Sequence, residues 1–185
     1  MQSRIGMASV CCFSAQMVSY VALPFYLEHA LGKGAFETGI YMTPWPLTVA
    51  FAAPISGRLC NRIPTAWLRA AGGVCLSIGL VLCALWPLQQ EIAPLIIFTM
   101  ICGLCFGFFQ TPNNRNMLLS APPERSGAAG GMQSTARLVG QTTGAVIMAI
   151  LFTLMPISTA PRVGLGIAAV LALAGGIFSV LRRGR

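Results

Sequence analysis

Six long apolar stretches, separated by short polar connections, account for most of the chain. A bilayer with a hydrocarbon core about 30 Å thick is crossed by an α-helix of roughly 20 residues, and every stretch reaches about that length. The pattern therefore predicts an all-α membrane protein, a bundle of six transmembrane helices. The stretches run approximately over residues 5–27, 36–56, 67–87, 94–119, 127–155 and 163–181.

The first apolar stretch follows Arg4 and so has the charge pattern of a secretory leader. It is, however, long enough to span a bilayer, and no small-residue cleavage signature follows it. We interpret it as a retained first helix.

Composition supports a membrane protein over a soluble one. Of the 185 residues, 56% are hydrophobic and only 9% are charged, which is unusual for a soluble domain. A net charge of +8 could indicate nucleic-acid binding, but the arginines are spread over several turns and form no single basic patch. The seven cysteines lie mostly inside apolar runs, where each behaves as a small hydrophobic residue. We therefore expect a lipid bilayer as partner, no nucleic acid and no disulfide framework.

The arginines indicate an orientation. The positive-inside rule makes the arginine-rich side of a membrane protein cytoplasmic, which predicts that both termini are cytoplasmic. That side carries Arg4 before the first stretch, Arg58, Arg62 and Arg69, which join the second stretch to the third, Arg115, Arg125 and Arg137 around the fourth connection, and Arg182, Arg183 and Arg185 at the end. The opposite side carries the smaller, mixed set Glu28, His29, Lys33, Glu37, Glu91 and Arg162.

Polar side chains inside three of the apolar stretches predict a path for a solute. Because polar groups are costly in hydrocarbon, they tend to face a bundle interior or a watery cavity. The first, fourth and fifth helices, together with the second, are the predicted cavity wall. The candidate residues for contact with a small-molecule substrate are Gln16, Ser19, Tyr20, Gln110, Asn113, Asn114, Gln133, Arg137 and Gln141.

Within this set, Gln133, Arg137 and Gln141 are spaced four residues apart and so share one helix face. Arg137 has two interpretations: it meets an anionic group, or its side chain extends to the membrane surface. Glu124 is a candidate ion-pair partner for it across the preceding turn.

Small residues and prolines add packing predictions. Pairs of glycines one turn apart let neighbouring helix backbones approach closely, either at a moving interface or in static packing. These are Gly103 and Gly107 in the fourth stretch, and Gly140 and Gly144 in the fifth. The prolines of the second stretch remove backbone donors and favour bends.

Enzyme chemistry is not indicated. Cys102 and Cys105 form a C-x-x-C in the middle of an apolar run, without a second pair, and His29 is the sole histidine, so we predict no metal site. All four carboxylates lie in or beside connections, which leaves the spans without the usual intramembrane proton carrier. The chain has no phosphate loop, G-x-S-x-G or H-E-x-x-H motif, and we expect neither catalysis nor a cofactor.

A basic turn formed by Gly57, Arg58, Asn61 and Arg62 closes the second helix. By itself such a turn is a helix cap with an orientation signal. In combination with other residues, it resembles the C-terminal half of major facilitator superfamily transporters, and more narrowly the fourteen-span drug:proton antiporter family, nearest to an uncharacterised bacterial branch. The first matching set is Leu23, Pro24, Phe25, Tyr26, Leu27, Leu31, Gly32, Thr38, Gly39, Thr43, Pro44 and residues 54–59. The second is Gly103, Gly107, Gln110, Pro112, Asn113, Asn114, Pro122, Arg125, Ser126, Gly127, Gly130, Arg137, Gly140 and Gly144.

The resemblance implies that residues 1–185 are one six-helix half, which works by rocking against a missing N-terminal half around a central site. The acidic residue and arginine tied to proton coupling would belong to that other half. The turn resembles the weaker second copy of the family's cytoplasmic loop motif, with Asn61 where aspartate often stands. The implied function is proton-coupled export of drug-like or amphipathic compounds across the bacterial cytoplasmic (inner) membrane. The alternative is a truncated, non-transporting membrane module or interaction partner.

Overall fold

The computed structural model of the chain describes residues 2–86, 91–119, 122 and 126–180, and within these it gives no side-chain description for residues 2–5 and 126. All regular elements in the described residues are helical, which confirms the predicted all-α class. The elements are α1 (Gln2–Phe25), continued by a π-helical turn (Tyr26–Ala30), then α2 (Ala35–Met42), α3 (Pro44–Leu59), α4 (Thr65–Leu85), α5 (Ala93–Leu119), α6 (Ser126–Leu154) and α7 (Ala160–Val180).

Among the described residues, five helical segments are long and apolar enough to cross a membrane: Gly6–Ala30, Thr65–Leu85, Ala93–Leu119, Gly127–Leu154 and Ala160–Val180. They coincide with five of the six predicted stretches.

The remaining predicted span, residues 36–56, consists of two shorter helices, α2 and α3. Pro44 and Pro46 have no N–H to donate, so the ladder of i to i−4 hydrogen bonds is interrupted where they stand. Thr43 joins the two helices and keeps helical dihedral angles, φ −58° and ψ −37°. Residues 35–59 together would extend about 37 Å as a helix, which suffices to cross a bilayer.

The helices pack around α1, α4, α5 and α7. The main helix pairs are α4 with α7, α1 with α7, α4 with α5, α3 with α5 and α1 with α6. A buried apolar cluster that includes Phe13, Leu23, Leu76, Leu80 and Phe106 fills the space between them. Since lipid tails compete equally well for apolar surface, this bundle depends on close packing of its helices.

Glycines set the close approaches within this bundle. A Cβ built on Gly73 of α4 would lie 2.8 Å from the Cα of Gly176 on α7, and one on Gly72 would lie 2.7 Å from the backbone nitrogen of Phe109 on α5. Both distances are shorter than real Cβ atoms show. Any larger residue at these two positions would therefore push α4 away from its neighbours.

Helix α6 is the least covered of the five spans. In its most apolar 18-residue window, 22% of the residues are buried, against 44% to 56% in the other four. It packs mainly on α1, and contacts α5 and α7 only slightly. Most of its circumference is therefore open in this chain.

Arg69 differs from its predicted place in the connection after the second stretch. Helix α4 begins at Thr65, directly after Pro64, so Arg69 lies in its second turn and is only 1% exposed. Its guanidinium carbon lies 5.6 Å from the centre of the Phe109 ring, within the range of a cation–π contact. Arg69 is thus a packed residue of the bundle, and the prediction that it is a connection charge was wrong.

Candidate functional site

The predicted cavity residues of α1 are placed unequally. Gln16 and Tyr20 are half-buried, and the Tyr20 ring meets the Trp45 ring of α3 edge-on, with 5.3 Å between centroids. Ser19 is fully buried and donates its hydroxyl hydrogen to the Ala15 carbonyl of its own helix, at 2.8 Å. Gln16 and Tyr20 can therefore contact a ligand at a partly open surface, whereas the Ser19 hydroxyl is already used in a hydrogen bond within α1.

On α5, Asn113 and Asn114 have different surroundings although they are adjacent. Asn113 is fully buried, and its Nδ2 donates to the Ser9 Oγ of α1 at 2.9 Å, while the Ser9 hydroxyl lies 3.1 Å from the Asn113 Oδ1. Asn113 thus joins α1 to α5. Gln110 is half-buried.

Asn114 is half-buried and carries a buried Oδ1 that has no hydrogen-bond partner among the described residues. Buried polar atoms in folded proteins are nearly always hydrogen-bonded. Of the two asparagines, Asn114 is therefore the one whose side-chain oxygen can accept a hydrogen bond from a ligand.

The polar stripe of α6 borders the contact of that helix with α1. Gln133 and Gln141 are half-buried, and Arg137 between them is exposed. Arg137 follows the first residue of α6 by eleven positions, about 16 Å along the helix axis. It therefore lies about three turns into α6, and not beside the preceding connection, where the sequence predicted it. Glu124, its predicted ion-pair partner, lies outside the described residues.

The four glycines predicted to support helix packing lie at two contacts of these walls. On α5, a Cβ on Gly103 would collide with the Trp45 carbonyl and the Thr48 hydroxyl of α3, and one on Gly107 would lie 2.6 Å from the Cβ of Ala52. The other two, Gly140 and Gly144, face α1 from α6.

The basic turn between α3 and α4 is tied to the end of α5. Asn61 Oδ1 accepts a hydrogen bond from Arg115 Nη1 at 2.8 Å, and Thr65 Oγ1 donates to Asn116 Oδ1 at 3.0 Å. A neutral amide thus takes the acceptor role that a carboxylate could fill. Gly57 is half-buried, and Arg58 and Arg62 point to the exposed side of the turn. Arg4, Arg125, Arg182, Arg183 and Arg185 have no described side chains, so their predicted placement stays a prediction.

At the opposite end of the bundle, α1 is fastened to α7. Arg162 Nη2 donates to the Tyr26 hydroxyl at 2.9 Å, and its guanidinium carbon lies 5.4 Å from the centre of that ring. The His29 ring stacks on Phe25 at 5.0 Å. Sequence reasoning missed the Arg162–Tyr26 contact, because the two residues are 136 positions apart and no local pattern connects them.

The side chains at this site are of types that can bind a ligand. The described part of the chain holds no group of three or more His, Cys, Asp or Glu side chains that could bind a metal ion. The predicted cavity residues that remain partly open are the amides of Gln16, Gln110, Asn114, Gln133 and Gln141, the phenol of Tyr20 and the guanidinium of Arg137. Amides and a phenol both donate and accept hydrogen bonds, and a guanidinium donates them.

A protein-family model described as Major Facilitator Superfamily matches residues 5–185. The chain belongs to the Major Facilitator Superfamily. This membership confirms the resemblance to the superfamily, and makes the chain part of a multi-pass membrane transporter family.

Two relatives of this superfamily chain are transporters by name, and a third is named as a multidrug resistance protein. It is 42% identical over 174 residues to the uncharacterized transporter YebQ of Escherichia coli (strain K12), covering 94% of the chain and 38% of the relative. It is 32% identical over 143 residues to the riboflavin transporter RibZ of Clostridioides difficile, covering 77% and 31%. It is 26% identical over 145 residues to the multidrug resistance protein Stp of Mycobacterium tuberculosis, covering 78% and 27%. The chain spans about a third of the length of these relatives.

Proposed function

We propose that the chain forms the C-terminal six-helix half of a proton-coupled exporter of drug-like or amphipathic compounds, of the fourteen-span antiporter type. The observation that carries the proposal is the set of partly open polar side chains on α1, α5 and α6 of an otherwise apolar bundle. The wide uncovered surface of α6 supports a second half that packs or closes against it. The names of two relatives, a riboflavin transporter and a multidrug resistance protein, support small organic molecules as substrates.

The side chains proposed to contact substrate are few and separated by apolar surface. Gln16, Tyr20, Asn114 and Gln141 both donate and accept hydrogen bonds, so they can adapt to differently placed polar groups on a ligand. Apolar cavities with a small number of such groups suit loosely matched ligands. Ser19 and Asn113 are left out of this set, since their hydrogen bonds are made within the bundle.

Proton coupling is proposed to depend on the other half. In the described residues, Glu28 and His29 stand in the π-helical turn that ends the first span, and Glu37 stands in the first turn of α2. None of these three lies in the middle of a helix, where an intramembrane proton carrier is expected.

We also propose location in the bacterial cytoplasmic membrane with both termini cytoplasmic. Arg58, Arg62 and Arg115 gather at one end of the bundle, and the hydrogen bond from Arg115 to Asn61 keeps two connections of that end together. Glu28, Lys33 and Glu37 lie at the other end. This distribution is the one that the positive-inside rule assigns to a cytoplasmic arginine-rich side.

The test is co-expression of the chain with the N-terminal half of a close relative, followed by dye export from energised vesicles. Export above the empty-vector level, abolished by a protonophore, is the expected result. Asn114→Leu should reduce export several-fold at unchanged protein level. Thr143→Val is the matched control, because Thr143 is exposed on α6 and its hydroxyl donates to the Val139 carbonyl of the same helix, at 2.7 Å. Absence of export for the unmodified pair would favour the non-transporting module, and equal effects of the two substitutions would contradict the proposed cavity.

A further inference from the structure

An apolar groove lies on the outside of the bundle, away from the proposed cavity. It has a volume of about 440 Å³, within the range of ligand-binding clefts. Four of its lining residues, on α4 and α5, are exposed, so the groove opens outward. Gln16, Tyr20 and the other polar cavity residues take no part in it. The lining residues are Leu59, Ile63, Trp67, Leu68, Ala71, Gly72, Cys75, Leu104, Cys105 and Phe108.

A basic cleft continues this groove at the turn between α3 and α4. It has a volume of about 480 Å³ and is lined by Ile55, Arg58, Leu59, Asn61 and Arg62. Leu59 lines both cavities, so the cleft and the groove adjoin. Among the described residues that line either cavity, none is acidic.

The two cavities together have the polarity of one lipid molecule. Arg58 and Arg62 are both exposed, and a third guanidinium, that of Arg115, is held beside them by Asn61. Guanidinium groups bind phosphate through paired hydrogen bonds, and clusters of basic residues beside a span attract anionic lipids. Trp67, which is 49% exposed at the start of α4, has the position typical of tryptophan at the headgroup level.

The length of the groove fits an acyl chain. From Trp67 to Cys75 the groove follows α4 for eight residues, about 12 Å along the helix axis. One leaflet contributes about half of the ~30 Å hydrocarbon thickness, so a chain lying in the groove would be covered over most of its depth. We propose that this surface is a binding site for an anionic phospholipid, with its phosphate at Arg58 and Arg62 and one acyl chain between α4 and α5.

Tryptophan quenching tests the site directly. The chain has three tryptophans, and replacing Trp45 and Trp86 with Phe leaves Trp67 as the single fluorophore. In phosphatidylcholine vesicles, a small fraction of brominated phosphatidylglycerol should quench Trp67 more strongly than the same fraction of brominated phosphatidylcholine. Arg58→Gln with Arg62→Gln should reduce this preference on the order of tenfold, and added salt should weaken it in the unmodified chain. Lys33→Gln, at the other end of the bundle, should leave it unchanged. Equal quenching by the two brominated lipids would overturn the proposal.

Native mass spectrometry of the chain with all three tryptophans gives a second measurement, which does not depend on the Trp45 replacement. Phosphatidylglycerol should be retained by the unmodified chain and by Lys33→Gln, and lost from the double arginine variant. Ala71→Phe, which fills the groove from an exposed position of α4, should also lose the lipid. Retention by Ala71→Phe at the unmodified level would show that no acyl chain lies in the groove, and would overturn the proposal.

Discussion

The contact between α1 and α6 depends on two glycines, and replacing them offers a quantitative test of the fold. A Cβ on Gly140 would lie 2.8 Å from both the Phe13 Cβ and the Val10 carbonyl oxygen, and a Cβ on Gly144 would lie 2.6 Å from the Ser14 carbonyl oxygen. Ordinary van der Waals contact begins at 3.4 Å. Alanine at both positions therefore requires the two helices to separate by several tenths of an ångström.

The magnitude follows from the cost of overpacking. Each overfilled position in a packed core costs about 1–3 kcal/mol, so Gly140→Ala with Gly144→Ala should cost about 2–6 kcal/mol. Alanine is also a better helix former than glycine by about 0.5–1 kcal/mol, which partly offsets this cost. The matched control is Gly130→Ala with Gly131→Ala on the same helix, where a Cβ meets nothing within 4 Å among the described atoms. The control pair gains the same helix propensity without the collision.

The assay is thermal unfolding in detergent, monitored by a thiol-reactive fluorophore that labels cysteines as they become exposed. Cys12, Cys83 and Cys102 are at most 2% exposed in the folded chain, so unfolding should produce a clear signal. A stability change of 1 kcal/mol shifts the midpoint of a chain of this length by about 2–4 °C. The midpoint of the Gly140/Gly144 pair should thus fall at least ~4 °C below that of the control pair. Equal midpoints would refute close packing of α6 on α1.

Three further substitutions test individual contacts. Asn61→Asp should place a carboxylate opposite Arg115 and stabilise the chain by about 0.2–1 kcal/mol. The resulting gain in unfolding midpoint should vanish in high salt. A gain that does not depend on salt would contradict an ion pair. Ser9→Ala should remove a hydrogen-bond partner from the buried amide of Asn113 and lower the free energy of unfolding by about 1–3 kcal/mol. A double-mutant cycle with Asn113→Leu should show coupling between the two positions. Additive losses of stability would argue against a contact between them. Tyr26→Phe should remove the hydrogen bond that Arg162 donates to Tyr26, and lower the free energy of unfolding by about 0.5–1.5 kcal/mol, while the contact of the guanidinium with the ring remains. An unchanged unfolding midpoint would show that this hydrogen bond contributes nothing to stability.

The helices of the fold were predictable because the length and apolarity of a stretch are properties of its own sequence and do not depend on distant residues. A run of about 20 apolar residues has few stable alternatives to a helix in lipid, and five predicted stretches appear as helices long enough to span. The second stretch shows the limit of this argument. Its prolines indicated bends, but the sequence did not indicate that helix α2 would end at Met42 and α3 would begin at Pro44.

Contacts between distant residues were not predictable from the pattern. Arg69 was assigned to a connection because basic residues usually stand there, and its burial against Phe109 depends on how α4 and α5 cross. Ser9 and Asn113 are 104 positions apart, and neither hydropathy nor spacing relates them. Choosing between the polar candidates Asn113 and Asn114 likewise required knowing which helix faces each side chain.

The uneven attachment of α6 has a mechanical consequence for the bundle. Helix α7 is held on two sides, by α1 and α4, and its Gly176 contacts Gly73 across the α4 interface. Helix α6 meets mainly α1, along one line of small residues. Rotation of α6 about that line would break far fewer van der Waals contacts than the same rotation of α7. Helix α7 is thus held more rigidly than α6, and conformational change of the bundle should occur mainly by movement of α6.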